Sequence, residues 1–167
     1  MGDEEAVHGN DAAPRHIRGL LVPDLLLALL QAGAWHHPGD AALAELMPWF
    51  ADPLEFLASI PAMAGVSRSL DRLVRDDATA RVFRFASGTT VTEQIDLPWL
   101  DVDQAFLIAT ARYAGDDTAV ALDYRTGAST PRVVASDIWT DPRQCHWRTV
   151  AETFPAFAAS VGLSVSR

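Results

Sequence analysis

The sequence predicts an α+β protein in which N-terminal helices are followed by an antiparallel or mixed sheet and a closing C-terminal helix. Three observations lead to this fold class. Before about residue 80, apolar residues recur every three or four positions, as on one face of a helix. From 82 to 136, short apolar runs alternate with turn residues, as strands do. Helices and strands occupy separate stretches of the chain, which favours α+β over a parallel doubly wound sheet.

The chain is expected to form a single domain. Its 167 residues fit the usual size of one domain, and no linker rich in Gly, Ser or Pro divides them. Residues 1–16 are rich in small and charged residues without periodicity, so we expect a disordered arm there. The predicted domain is therefore 17–167, and its length allows a substantial core.

Two helices are predicted between residues 23 and 48. The first begins at Pro23, since proline is tolerated in a first helical turn, and ends at Gly33, which can adopt the left-handed conformation that closes a helix. The second is capped by Asp40 and ended by Pro48. The apolar residues at helical spacing are Leu25, Leu26, Leu29 and Leu30 in the first helix, and Leu43, Leu46 and Met47 in the second.

Two more helices are predicted before residue 80. Asp52 followed by Pro53 is typical of a helix cap and first turn, so a third helix is expected to begin there. A fourth is expected from about Ser67, with arginines on a solvated face. The third helix would carry Leu54, Phe56, Leu57 and Ile60, and the fourth would carry Leu70, Leu73 and Val74 opposite Arg68, Arg72 and Arg75.

The second half of the chain is predicted to form the sheet. Turn residues at 87–88 and 115–117 separate β-prone runs, and the second of these turns predicts a hairpin. The closing helix, near 153–161, would bury Phe154 and Phe157 because these residues lie three apart on one face. The predicted strands are 82–85, 90–92, 107–111, 118–122 and 132–135.

Charge and cysteine content narrow the classes of function. All 13 basic residues are arginine, which excludes a Schiff-base lysine and the lysine of a phosphate-binding loop. The formal net charge of −9 disfavours direct binding to nucleic acid. The single cysteine, Cys145, excludes an intramolecular disulfide. A free thiol, an acidic N-terminus and the absence of a long apolar span predict a cytoplasmic protein without a membrane partner.

The sequence shows no strong pattern for catalysis or metal binding. Cys145 and His146 are adjacent, but adjacent side chains diverge in both helices and strands, which argues against a nucleophilic pair. His36 and His37 precede Pro38-Gly39, which is typical of a turn. The five histidines and one cysteine lack zinc-ligand spacing, so we expect neither a metal nor another cofactor.

Paired carboxylates leave an enzyme open as an alternative. Asp101 and Asp103 would share one face of an extended segment, and Asp116 is followed directly by Asp117. General acid–base catalysis needs two carboxyls that face one substrate with separated pKa values. A turn also accounts for Asp116 and Asp117, because aspartate hydrogen-bonds its own backbone in turns.

Two tryptophans are surrounded by acidic residues. Residues 93–141 contain nine acids and three arginines, a net charge of −6, and Trp99 and Trp139 lie within that stretch. A half-exposed aromatic residue with a charged rim is typical of an anchor in a protein interface. The other interpretation is a core tryptophan beside solvated loop acids. The residues predicted to bind a basic protein partner are Trp99, Asp101, Asp103, Asp116, Asp117, Asp137 and Trp139.

Four short motifs, together covering about residues 97–163, resemble the SUKH superfamily. The first is a Gly-Asp turn, the second an aspartate that ends the next strand, the third a Pro-Arg-Val-Val segment, and the fourth a terminal Thr-Phe-x-x-Phe helix. In this chain they are Gly115-Asp116-Asp117, Leu122-Asp123-Tyr124-Arg125, Pro131-Arg132-Val133-Val134 and Thr153-Phe154-Pro155-Ala156-Phe157.

The resemblance implies a fold and a kind of function. SUKH proteins have a mixed sheet with helices packed around it and are not known for catalysis. Bacterial members resemble immunity proteins that bind and neutralise toxins, often nucleases, and fungal members look like cell-wall-assembly regulators. The resemblance therefore implies a non-catalytic immunity protein with a basic toxin partner, or an adaptor of the same fold without a toxin. Because electrostatic complementarity speeds association, an acidic chain suits a basic partner.

Overall fold

Two antiparallel sheets organise the part of the chain that the structure, a computed structural model, describes, namely residues 14–75, 99–141 and 143–166. The smaller sheet pairs β1 (His16–Ile17) with β2 (Leu20–Leu21). The larger sheet has the order β3 (Leu54–Phe56), β4 (Ala105–Ala111), β5 (Ala119–Asp123), β6 (Arg132–Ser136) and β7 (Arg148–Ala151). Its strands pair with their neighbours in chain order and antiparallel, which makes the sheet a meander.

The helices precede β3, lie between β3 and β4, or follow β7 in the sequence. They are α1 (Asp24–Gln31), α2 (Asp40–Leu46), α3 (Ile60–Ser67), α4 (Arg72–Arg75) and α5 (Phe154–Ser160), with a 3-10 turn at Arg68–Asp71 between α3 and α4. Helix α3 contacts β4, while α5 contacts β6 and β7. None of the helices within the described ranges is long and apolar enough to cross a membrane. The predicted α+β class with a closing helix is confirmed.

Helix α1 is closed by Gly33 as predicted, and α5 begins close to the predicted residue 153. Gly33 has a φ of 65° directly after α1, and its N–H donates to the Leu30 carbonyl. Thr153 caps α5, because its Oγ1 accepts a hydrogen bond of 3.2 Å from the Ala156 N–H. The predicted Asp40 cap of α2 is wrong, because Gly39 occupies the cap position without a side-chain hydrogen bond and Asp40 is the first helical residue.

The predicted third helix is wrong, because residues 54–56 form the edge strand β3. Leu54 and Phe56 are buried while Glu55 between them is exposed, which is the period of a strand. The helix begins seven residues later than predicted, at the cap Ser59, whose Oγ accepts from the Ala62 N–H at 3.2 Å. Asp52 followed by Pro53 has the pattern of a helix start. The helix actually begins at residues with the same pattern, the cap Ser59 and the first-turn Pro61.

The predicted fourth helix begins in the wrong place. Ser67 is the last residue of α3 rather than the first residue of a new helix. The faces are as predicted where side chains are described: Leu70 and Leu73 are buried, and Arg68 and Arg72 are exposed. The side chains of residues 74 and 75 lie outside the described part.

The predicted hairpin at 107–122 and the strand at 132–135 are confirmed by the pairing of β4 with β5 and of β5 with β6. Strand β7 was not predicted. The strands predicted at 82–85 and 90–92 lie outside the described residues, as do residues 1–13 of the expected arm. His16, the last residue of that arm, pairs with Leu21 in the smaller sheet.

The hairpin of β1 and β2 is fixed to the rest of the fold by Arg18. Arg18 and Gly19 both have positive φ, at 55° and 80°, which suits the tight turn between two-residue strands. The Arg18 guanidinium donates to the Asp71 carboxylate at 2.8 Å and to the carbonyls of Ser67 and Val102 at 3.2 and 2.9 Å. One side chain thus joins the N-terminal hairpin, the end of α3 and the segment before β4.

Candidate functional site

The seven residues predicted to bind a partner lie at two opposite ends of the larger sheet. We call one the Asp123 end, where β4 begins and β5 ends, and the other the Asp117 end, where β4 ends and β5 begins. Because the strands run antiparallel, β6 begins at the Asp123 end and finishes at the Asp117 end, where β7 starts. The seven residues of β4 separate the two ends by roughly 20 Å, at about 3.4 Å per residue.

Trp99, Asp101 and Asp103 precede β4 and lie at the Asp123 end. Asp101 caps a 3-10 turn at 102–104, because its Oδ1 accepts from the Asp103 N–H at 3.0 Å. The expectation that these two aspartates share one face of an extended segment is therefore wrong. Trp99 is half-buried against the core, and its carbonyl oxygen accepts from Arg125 Nη2 at 2.7 Å.

Asp117 holds two loops together at the opposite end. Its Oδ2 accepts hydrogen bonds from the Trp139 N–H at 3.1 Å, from the Thr140 N–H at 3.0 Å and from the Thr140 hydroxyl at 2.8 Å. Asp117 also forms an isolated parallel bridge with Ile138. The turn at 112–118 and the loop at 137–147 are joined through this carboxylate. Of the predicted site residues, the structure therefore brings together Asp116, Asp117, Asp137 and Trp139.

Trp139 is buried, with 8% of its surface exposed, and the expectation of a half-exposed anchor is wrong for this residue. Its ring packs against Trp147, with 6.5 Å between ring centroids. The physical reason is the hydrogen bond from its N–H to Asp117, which holds the loop down on the sheet. The neighbouring acids thus lie beside a core tryptophan.

Among the described residues, Tyr113 is the large aromatic residue exposed at this end, with 61% of its surface accessible. Sequence reasoning missed it, although it lies two residues before the Gly-Asp turn that the sequence did predict. The loops at 51–53, 112–118 and 137–147 carry five aspartates and two arginines, so the surface around Tyr113 is acidic. Part of this charge is offset by Arg148, whose Nη1 lies 3.6 Å from Asp137 Oδ1.

Replacing Asp117 with alanine is expected to lower the free energy of unfolding by about 2 kcal/mol, because two backbone N–H groups and one hydroxyl lose a charged acceptor. Urea titration with the equivalent Asp116→Ala variant as control measures this. Asp116 lies in the same turn and its carboxylate accepts no hydrogen bond within the described residues, so its loss should cost less than about 0.5 kcal/mol. Equal losses in the two variants would show that Asp117 does not hold the loops.

A buried ionic cluster occupies the Asp123 end. Asp123 is fully buried, accepts from the Arg125 Nε and Nη2 groups at 2.9 to 3.1 Å, and accepts from Arg132 Nε at 2.9 Å. The neighbouring Tyr124 hydroxyl donates to the Leu21 carbonyl, which connects this corner to the small sheet. The aspartate that ends β5, singled out in the sequence by its resemblance to SUKH proteins, is thus the centre of this cluster.

Cys145 is buried and lacks the environment of a reactive thiol. Burial raises the pKa of Cys145 to about 12, and the negative charge of Asp117 acts in the same direction. A thiol with so high a pKa is protonated near neutral pH and is a poor nucleophile. Among the described residues, no three His, Cys, Asp or Glu side chains are grouped so as to hold a metal ion.

Comparisons of this chain with protein-family models, curated proteins and solved structures return no match. The structure itself defines the class of the protein as α+β, with an antiparallel five-stranded meander among the described residues.

Proposed function

We propose that this chain is a non-catalytic binding module, an immunity-type protein that neutralises a basic toxin domain in the bacterial cytoplasm. The observation that carries the proposal is the surface at the Asp117 end, where the exposed ring of Tyr113 lies among the loops that carry Asp116 and Asp137. The resemblance of the C-terminal motifs to SUKH proteins supports the choice of a toxin as the partner.

The chemistry of this surface suits a protein partner. Aromatic side chains dominate the binding energy of many interfaces, and Tyr113 has an apolar ring with a polar tip. Surrounding carboxylates attract a basic partner before contact and so raise the association rate. A toxin that acts on nucleic acid carries basic residues to bind phosphate, and an acidic surface complements them.

The two alternative functions, an adaptor and an acid–base enzyme, require different features of the chain. An adaptor of the same fold would use the same surface with a partner that is not a toxin, and a toxin gene immediately beside this one would separate the two. An acid–base enzyme would need two carboxyls facing one substrate. In the structure, Asp101 caps a turn and Asp117 joins two loops at the opposite end, so the geometry favours structural roles for both.

The test is binding kinetics with the toxin domain encoded by the neighbouring gene. Tyr113→Ala is expected to raise the dissociation rate about 30-fold, which corresponds to the roughly 2 kcal/mol of an interface hot spot. The double variant Asp116→Asn, Asp137→Asn should lower the association rate, most clearly at low salt, because screening weakens surface charges at ~0.15 M.

Asp101→Asn with Asp103→Asn is the matched control, because it removes the same charge at the Asp123 end. We expect both rate constants to stay at their wild-type values in this variant. If the control weakens binding while the variants of the Asp117 end do not, the partner binds the opposite end of the sheet. If a toxin is captured by neither the wild type nor any variant, the toxin-neutralising function is wrong.

A further inference from the structure

A cavity of about 320 Å³ opens between α2 and the start of β3, a volume at the lower end of the range for small-ligand sites. Its wall is part apolar and part acidic. Leu43 and Leu54 are buried core residues, and Phe50 is half-buried beside Trp49 at 5.2 Å between ring centroids. The polar residues on the wall are His37, Asp40 and Asp52.

The imidazole of His37 is fixed so that a ring N–H lacks a partner. Its Nδ1 lies 3.0 Å from the Gly39 N–H, which donates to it, so the proton of the neutral ring is on Nε2. Nε2 is buried and makes no hydrogen bond within the described residues. The nearest carboxylate oxygen, Asp40 Oδ1, is 3.6 Å away, which is too long for a hydrogen bond. The ring itself packs edge-on against Phe56 at 5.6 Å.

Asp52 is a half-buried carboxylate on the same wall. It makes no hydrogen bond or ion pair within the part of the chain that the structure describes. The guanidinium of Arg112 lies beside the wall and donates to the Leu54 carbonyl at 3.1 Å. Asp40, at the mouth, adds a second negative charge with 92% of its side chain exposed. An organic cation would therefore meet a carboxylate at the mouth, another on the wall, and apolar contacts between them.

Arginine fits this combination better than lysine. Its planar guanidinium stacks on aromatic faces such as Phe50 and binds carboxylates through paired N–H groups, and its alkyl stem packs against leucine. The cavity therefore offers partners for both the guanidinium group and the alkyl stem of an arginine side chain.

We propose that this cavity binds an arginine side chain of the protein partner, an inference that rests on the proposed function for the identity of that partner. The cavity adjoins the proposed surface. The carbonyl of Pro53, on its wall, accepts from the Arg112 N–H at 3.0 Å, and Leu54 accepts from the Arg112 guanidinium at 3.1 Å. Tyr113 follows Arg112 directly, so an interface over Tyr113 reaches the mouth of the cavity.

The test is an NMR titration of the full-length chain with Nα-acetyl-arginine methylamide, followed through the imidazole signals of His37. Nα-acetyl-citrulline methylamide, which has the same shape but no charge, is the control ligand. We expect saturable shifts with the arginine compound at a dissociation constant on the order of millimolar, as befits a single small fragment. Asp52→Asn should weaken binding at least about tenfold, as loss of a charged hydrogen-bond partner does.

Asp103→Asn is the matched protein control, since it removes an exposed carboxylate at the far end of the sheet, and it should bind like the wild type. Equal affinity for the citrulline compound, no saturable shift at His37, or unchanged binding by a folded Asp52→Asn variant would each overturn the cavity assignment. If a basic partner is captured but the arginine compound does not bind, only the cavity assignment fails. If the arginine compound binds and no basic protein is captured, the proposed function fails while the preference of the cavity for guanidinium stands.

Discussion

Replacing Asp123 with asparagine is expected to lower the free energy of unfolding by about 3–5 kcal/mol, the usual cost of removing one partner from a buried ion pair. The carboxylate of Asp123 is inaccessible to solvent, and the side chains of Arg125 and Arg132 are only 5% and 11% exposed. Asparagine keeps the shape but leaves two buried guanidinium groups without their counter-charge. Denaturant titration gives the difference, with the exposed Asp103→Asn at the same end of the sheet as control.

The same carboxylate makes stability depend on pH in a defined direction. Burial by itself raises the pKa of Asp123, but the hydrogen bonds and charge of Arg125, together with the hydrogen bond from Arg132, outweigh it and hold the pKa below its usual value of 3.8. A carboxyl with a lowered pKa in the folded state stabilises the fold above the pKa of the unfolded chain. That contribution is lost as the pH falls through the lower, folded-state pKa.

The difference in stability between the wild type and Asp123→Asn should therefore be constant above about pH 5 and should shrink as the pH falls below 4. Urea unfolding followed by circular dichroism across this pH range checks both the size of the stability difference and the direction in which it changes with pH. A difference below about 1 kcal/mol at pH 7, or one that grows in acid, would show that Asp123 is not an ionised partner of the two arginines.

The sequence predicts most of the fold but not the roles of its charged residues. The hairpin of β4 and β5 follows from a local signal, the Gly-Asp turn, and α5 follows from the helical spacing of Phe154 and Phe157. Strand β3 does not, because the spacing of Leu54, Phe56 and Leu57 satisfies both helical and strand periods, and only pairing with β4 decides between them. Strand β7 is four residues at the edge of the sheet, stabilised by pairing with β6 rather than by its own composition.

For the candidate site, the sequence could not predict which side chains are buried. Local charge suggested one acidic surface within residues 93–141. The predicted hairpin already separates the residues of this surface, because residues before β4 and residues directly after it lie at opposite ends of that strand. Burial was the property the sequence could not provide. It makes Trp139 a core residue, leaves Tyr113 exposed, and turns Asp123 from a strand-ending aspartate into the centre of an ionic cluster. Likewise, His37 resembles an ordinary turn histidine until it is seen to line a cavity with Asp40 and Asp52.

Phe157→Ala is expected to cost about 3–5 kcal/mol of unfolding free energy, the range measured when a large aromatic side chain is removed from a closed core. Phe157 is fully buried on the inner face of α5 and lies 6.3 Å from the ring of Phe154, which is itself 5.8 Å from Trp35. The cavity left by the substitution cannot collapse easily, because these rings are held between α1 and the sheet.

Ser160→Ala, on the exposed face of the same helix, is the control and should change stability by less than about 0.5 kcal/mol. Phe157→Leu keeps most of the apolar volume, so its loss of unfolding free energy in urea titration should lie between those of Phe157→Ala and Ser160→Ala. A loss below about 1 kcal/mol for Phe157→Ala would mean that α5 contributes little to the core and that the closing helix can leave the sheet without unfolding it.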